Sequence, residues 1–140
     1  MAQWTLVYEQ AVPVPFIVAD GAGIEKGTLL KLADGMVASA SGAADVGIIC
    51  GVAAEEKIAN DGKTRLGVYM RGIFRATCGG NCTAGVGLMC HGATGDPNDV
   101  INATNAAVGF KCLGTALDTG TDGETILVEL RPGTSPGAFA

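Results

Sequence analysis

Aromatic residues are scarce in this chain: one Trp, two Tyr and four Phe make up 5% of 140 residues. Hydrophobic residues nevertheless reach 48%, so Ala, Val, Leu and Ile carry the apolar content and each contributes modestly when buried. A thin core is expected, and association with other chains would supply stability that such a core lacks. Long apolar runs are missing too. No stretch approaches the ~18 apolar residues of a membrane-spanning helix, so no membrane partner is expected. The N-terminus, MAQWTLVYEQAVPVPF, has neither the positively charged start nor the continuous apolar segment of a secretory signal. Synthesis in a reducing cytoplasm is expected.

Positive charge is the next deficit. Nine Lys and Arg stand against 14 Asp and Glu, for a net charge of −5, which repels a polyanion unless the bases cluster. Lys57, Lys63, Arg65, Arg71 and Arg75 are instead interspersed with acidic and apolar residues, without aromatics beside them to stack on bases. Nucleic acid is not an expected partner.

Histidine occurs once, as His91, which limits acid–base chemistry. A dyad with Cys90 or Cys82 would need a nucleophile and base that meet in space, and residues adjacent in sequence rarely do. No enzyme is expected. Five cysteines, Cys50, Cys78, Cys82, Cys90 and Cys112, are an odd number in a chain without a secretory route, so they read as small free core residues. Cys78, Cys82, Cys90 and His91 tempt a zinc reading, but structural zinc prefers two short-spaced pairs, and Cys90 and His91 would point to opposite faces of a strand. Asp96-Pro97-Asn98-Asp99 looks like half a calcium loop, without the alternating carboxylates and distal Glu that close the shell. No metal or cofactor is expected. Asn81-Cys82-Thr83 and Asn102-Ala103-Thr104 match the glycosylation pattern by chance in a chain that is not secreted. The remaining acids read as solvated turn residues.

What is abundant is glycine, with 22 residues beside five prolines. Such punctuation suits short strands and turns. Strands are predicted over 27–32, 36–39, 46–53, 64–70 and 73–77, with turns at Asp20-Gly21, Asp34-Gly35 and Asp61-Gly62. Only AAEEKIA, 53–59, has the composition of a helix. The class is all-β.

An internal repeat is visible as well. KGTLLKL from Lys26 faces AGVGLMC from Ala84. VGIICGVA from Val46 faces VGFKCLGTA from Val108, and DGKTRLGVYMRG from Asp61 faces DGETILVELRPG from Asp122. These blocks predict a first β-unit over 19–78 and a second over 79–131 in one small Gly-rich domain, joined near Gly79-Gly80-Asn81, with Cys50 and Cys112 at equivalent buried positions. Residues 132–140 form a flexible tail. Residues 1–18 read as an extended arm: Trp4, Leu6 and Tyr8 share one face, and Val12, Pro13, Pro15 and Phe16 follow in a stretch where proline removes donors and enforces extension. Two readings stand side by side, an arm that docks on another chain's sheet edge or surface, and a local edge strand packed on its own domain.

The block from Asp45, DVGIICGVAAEEKIANDGKTRLGVYMRGIFRA, resembles the central segment of the lambda-like head decoration proteins, with Thr64, Leu66, Val68, Tyr69, Gly72, Phe74 and Arg75 at the places of that family's alternating strand. Upstream, the stretch from Ile24 to Leu32 is similar to the entry strand of related phage cement proteins. The resemblance covers about Gly21 to Ala76. It implies a β-barrel or β-tulip-like homotrimer on the outer surface of a tailed-phage capsid, stabilising it through the major capsid protein, with Trp4, Leu6, Tyr8, Val12, Pro13, Pro15 and Phe16 as capsid-binding residues. A carbohydrate- or cell-surface-binding β-module of a virion is the alternative, although aromatics this few and dispersed do not favour it.

Overall fold

A computed structural model describes residues 3–40, 49–90, 98–102 and 113–132. Eleven strands run through them: β1 (Thr5–Glu9), β2 (Val14–Ile17), β3 (Leu29–Ala33), β4 (Val37–Ala40), β5 (Ile49–Ala53), β6 (Arg65–Tyr69), β7 (Gly72–Thr77), β8 (Gly87–Cys90), β9 (Val100–Asn102), β10 (Gly114–Ala116) and β11 (Thr125–Leu130). No helix occurs among the described residues, and the protein is all-β. Strands β2-β4-β3-β5-β6 close into a barrel, while β1-β7-β11-β10-β8-β9 form a six-stranded sheet.

The same pairing scheme occurs twice. In the barrel β3 pairs antiparallel with β4 and β5, and β5 with β6. In the sheet β8 pairs antiparallel with β9 and β10, and β10 with β11. β2 lies antiparallel to β6 and meets β4 in parallel at Ile17 and Val37, and β7 lies antiparallel to β11 and reaches β9 in parallel through a Cys78–Val100 bridge. Loop contacts recur as well. Gly27 N donates to Ala53 O at 2.9 Å and Gly85 N to Ala116 O at 2.8 Å. The bridge between Ile24 and Lys57 has a counterpart between Cys82 and Gly120. Cys112, the expected counterpart of Cys50, lies outside the described residues.

Period-two alternation builds the inner faces. On β6, Leu66 and Val68 are buried and Arg65 is exposed; on β11, Ile126, Val128 and Leu130 are buried. β5 is buried throughout because both its faces are covered. Cys50 and Ala53 join the barrel core with Phe16, Val18, Ile24, Leu30, Ala38, Leu66 and Val68. Ile49 and Val52 face a second core with Trp4, Phe74, Leu88, Val100 and Val128. Leu29 and Leu30 split the same way on β3. The barrel wall thus serves two cores, which is how a chain poor in aromatics buries enough apolar area.

The segment 53–59, expected to be helical, is not. Lys57 N donates to Ile24 O at 2.7 Å and Ile24 N to Lys57 O at 2.9 Å, so Lys57 sits in an antiparallel bridge. That pairing and burial of the Lys57 side chain outweigh the weak helix propensity of so short a run. The turn prediction holds at Asp34-Gly35 and Asp61-Gly62, where Gly35 and Gly62 take φ of 86° and 82°.

Two glycines are needed for another reason. A Cβ on Gly51 of β5 would overlap the Tyr69 carbonyl oxygen, and one on Gly114 of β10 would overlap that of Glu129. Both strands approach their neighbour too closely for any side chain. Gly51→Ala and Gly114→Ala should each lower stability by about 3 kcal/mol or more, the upper range for overpacking. Denaturant unfolding followed by circular dichroism measures it; Lys31→Ala, in a half-buried position of β3, serves as the mild comparison.

Candidate functional site

The N-terminal segment is held within its own chain. β1 pairs with β7, with Thr5 opposite Arg75 and Leu6 opposite Phe74, and β2 is a barrel strand. Trp4, only 3% exposed, stacks at a tilt on Phe74 with ring centroids 5.7 Å apart. Its indole Nε1 donates to Asn98 O at 2.8 Å. Phe16 is buried in the barrel core, and Leu6 packs half-buried against the second core. Of the two readings of this segment, the local strand is the one observed. The reason is that β7 offers β1 a ladder, and the second core has a place for the indole. Trp4 and Phe16 are therefore core residues rather than exposed anchors. Tyr8 and Val12 are 64% and 71% exposed, and Pro13 and Pro15 face solvent too.

β1 is a sheet edge. A bulge between Leu6 and Tyr8 breaks its register, a device that discourages indiscriminate pairing at an edge.

Two adjoining depressions lie where β2 begins, the β6–β7 turn passes and β11 ends. One, of about 370 Å³, is lined by Ala11, Val12, Val14, Met70, Arg71, Arg131 and Pro132. The other, of about 380 Å³, is lined by Phe16, Leu32, Met36, Ile49, Cys50, Met70 and Pro132. They share Met70 and Pro132 and form one groove. Of the lining residues, the sequence singles out Val12 and Phe16 and does not single out Leu32, Met36, Met70, Arg71 or Arg131. The available signal was a methionine in each of two tight turns, Gly35-Met36 and Met70-Arg71, where polar residues are usual.

The most strongly built ionic cluster among the described residues is a loop staple. Lys57, 1% exposed, donates from Nζ to Asp61 Oδ1 at 2.7 Å, Ile58 O at 2.7 Å, Asp20 O at 3.0 Å and Asp20 Oδ1 at 3.1 Å. Gly62 N also donates to Asp20 Oδ1, at 2.8 Å. Withdrawal from water works against the charged amine, but the hydrogen bonds to Asp61 and Asp20 prevail and hold Lys57 above the usual lysine range. The Lys57 hydrogen bond holds Asp61 below the usual aspartate value. All donors of the amine are used and nothing is left to act on a substrate.

Cys50, Cys78, Cys82 and Cys90 are buried free thiols. Burial pushes Cys50 up to about 11 and raises Cys78 and Cys82 as well. Cys82 Sγ donates to Val100 O at 3.4 Å. Among the described residues no three His, Cys, Asp or Glu side chains converge as a metal site; His91 and Asp96 lie outside them. No described helix is long and apolar enough to cross a membrane.

No family model and no curated protein matches the chain. Among solved structures, the fold is similar to that of the head fiber gp8.5 N base of bacteriophage phi29. The TM-score is 0.55 at 14% sequence identity, over 86% of this chain and 96% of that one. At this identity the likeness is one of fold.

Two measurements follow from this geometry. Trp4→Ala should lower stability by about 3–5 kcal/mol, the usual cost of emptying a buried indole site, read by denaturant unfolding. Lys57→Met should lower the melting temperature at pH 7. Because Asp61 titrates below its ordinary value of 3.8, its contribution is present above that pH and disappears as pH falls through the depressed value. The gap between wild type and variant should therefore narrow when melting is repeated below about pH 4.

Proposed function

We propose that this chain is a structural protein of a tailed-phage particle, a decoration or cement protein that binds the outside of the capsid and stabilises it, without enzymatic activity. The observation that carries the reading is the fold. A phage head fiber base shares it over most of both chains, and the sequence block 45–76 independently resembles a family of phage head decoration proteins. The surface agrees with a binding role. Val12, Leu32, Met36 and Met70, between 38% and 71% exposed, line one groove, and a contiguous exposed apolar patch is what partner chains cover. The Lys57 staple and the buried thiols offer no reactive group. The exposed residues Tyr8, Val12, Pro13 and Pro15 are the part of the N-terminal segment available to the major capsid protein. Tyr8 is the one aromatic among these strongly exposed side chains, which disfavours a sugar-binding module, since such modules gather aromatics on one face.

Copies of the chain assemble as a homotrimer in this reading, each covering part of its neighbour's apolar surface. Light scattering at micromolar concentration should give three times the chain mass of 14.0 kDa; a monomer both free and on the particle excludes the trimer. For the main reading, purified protein is mixed with heads of the encoding phage stripped of accessory proteins, then sedimented. Saturable co-sedimentation and a raised disruption temperature of the heads are expected. Absence of binding overturns the reading.

A further inference from the structure

The groove beside Met70 combines an apolar lining with two arginines. The chain has an excess of acids, 14 against 9 bases, yet among the described residues neither half of the groove is lined by an Asp or Glu, and both described cations of the groove, Arg71 and Arg131, are in the same half. Both arginines are exposed, and neither guanidinium takes part in an ion pair within the described residues. The rest of the lining is apolar, with Val12, Val14, Leu32, Met36 and Met70 beside the buried Phe16 and Cys50.

We infer that this groove is a docking site for an extended segment of another virion protein that carries apolar side chains next to a carboxylate; naming the partner a virion protein rests on the function proposed above. Charge complementarity selects the occupant. A planar guanidinium is suited to a carboxylate, which it binds through paired N–H groups, and an acidic protein that keeps acids out of one apolar groove while placing two arginines there favours an anionic partner. Methionine and arginine are also the residues enriched where protein partners are buried. Met36 and Met70, unbranched and polarisable, adapt to varied apolar side chains. Each half of the groove, at about 370 and 380 Å³, is small for a helix and takes the side chains of an extended strand.

The test separates the groove from the virion reading. A displayed library of random short peptides is panned on the full-length folded protein, and binders are measured by fluorescence anisotropy. The expected winners combine Asp or Glu with aliphatic or aromatic residues. Arg71→Glu and Met70→Asp should each weaken them about tenfold or more, with melting temperatures kept near wild type because both side chains are exposed. Arg75→Glu, an equal charge change on the exposed face of β7, should leave binding unchanged. Added salt should weaken wild-type binding. Winners without acidic residues, or equal binding by Arg71→Glu, overturn the inference. Stripped heads form the second arm: heads that bind wild type and Arg71→Glu equally overturn the groove and leave the decoration reading standing. Heads that bind neither protein, with acidic peptides still held in the groove, overturn the decoration reading alone.

Discussion

Asn98 is a joint between two units of the fold, the barrel and the six-stranded sheet. It is 1% exposed and contacts two stretches of chain distant in sequence, at Gln3-Trp4 and at Leu29. Its carbonyl accepts from the Trp4 indole, its side-chain Oδ1 accepts from Leu29 N at 3.0 Å, and its Nδ2 donates to Gln3 Oε1 at 2.6 Å. Leu29 opens β3 of the barrel, Trp4 leads into β1 of the six-stranded sheet, and Asn98 itself leads into β9. A buried amide left without these partners would carry its full desolvation cost. The polar contacts therefore fix where the two units meet, while Trp4, Phe74 and Tyr69, with successive ring centroids 5.7 and 5.8 Å apart, fill the space beside them.

This joint explains the role of the N-terminal segment. β1 belongs to the sheet and β2 to the barrel, so residues 3–17 cross from one unit to the other and tie both. Trp4 N donates to Gly27 O at 2.8 Å, placing the segment against a turn where a Cβ on Gly27 would overlap the Trp4 carbonyl oxygen. Truncating the segment would therefore remove core, Trp4 from one cluster and Phe16 from the other, and with it the stability of the fold.

Much of the architecture was legible in the sequence because strand signals are local. Alternation over 64–70 and the Asp-Gly turns each lie within a few residues, and the matching blocks from Asp61 and Asp122 fall on β6 and β11, which take equivalent places in the two pairing schemes. What was not legible depends on contacts between distant residues. AAEEKIA read as helix because nothing nearby reveals that Lys57 will be enclosed by Asp20 and Asp61. Trp4 read as a possible exposed anchor because its partners, Phe74 and Asn98, are 70 and 94 residues away. The groove has contributions from β2, the β3–β4 turn, the β6–β7 turn and the end of β11, so no window of sequence contains it.

The barrel and the sheet share a pairing scheme but differ at equivalent positions. Where the first unit places Lys57 opposite Ile24, the second places Gly120 opposite Cys82. A Cβ on Gly120 would meet Ile126 Cγ2 at 2.7 Å and Cys78 Sγ at 3.2 Å. The corresponding loop is thus closed by apolar packing and thiols in one unit and by a caged ammonium in the other. An ionic closure carries desolvation costs that apolar packing avoids, but it fixes the directions of the Asp20 and Asp61 loops through hydrogen bonds of defined geometry. The first unit also carries Met36, Leu32 and Met70 on its outer surface. The core beneath that surface holds a single aromatic, Phe16, so the barrel relies on directional bonds at the Asp20 and Asp61 loops as well as on apolar packing.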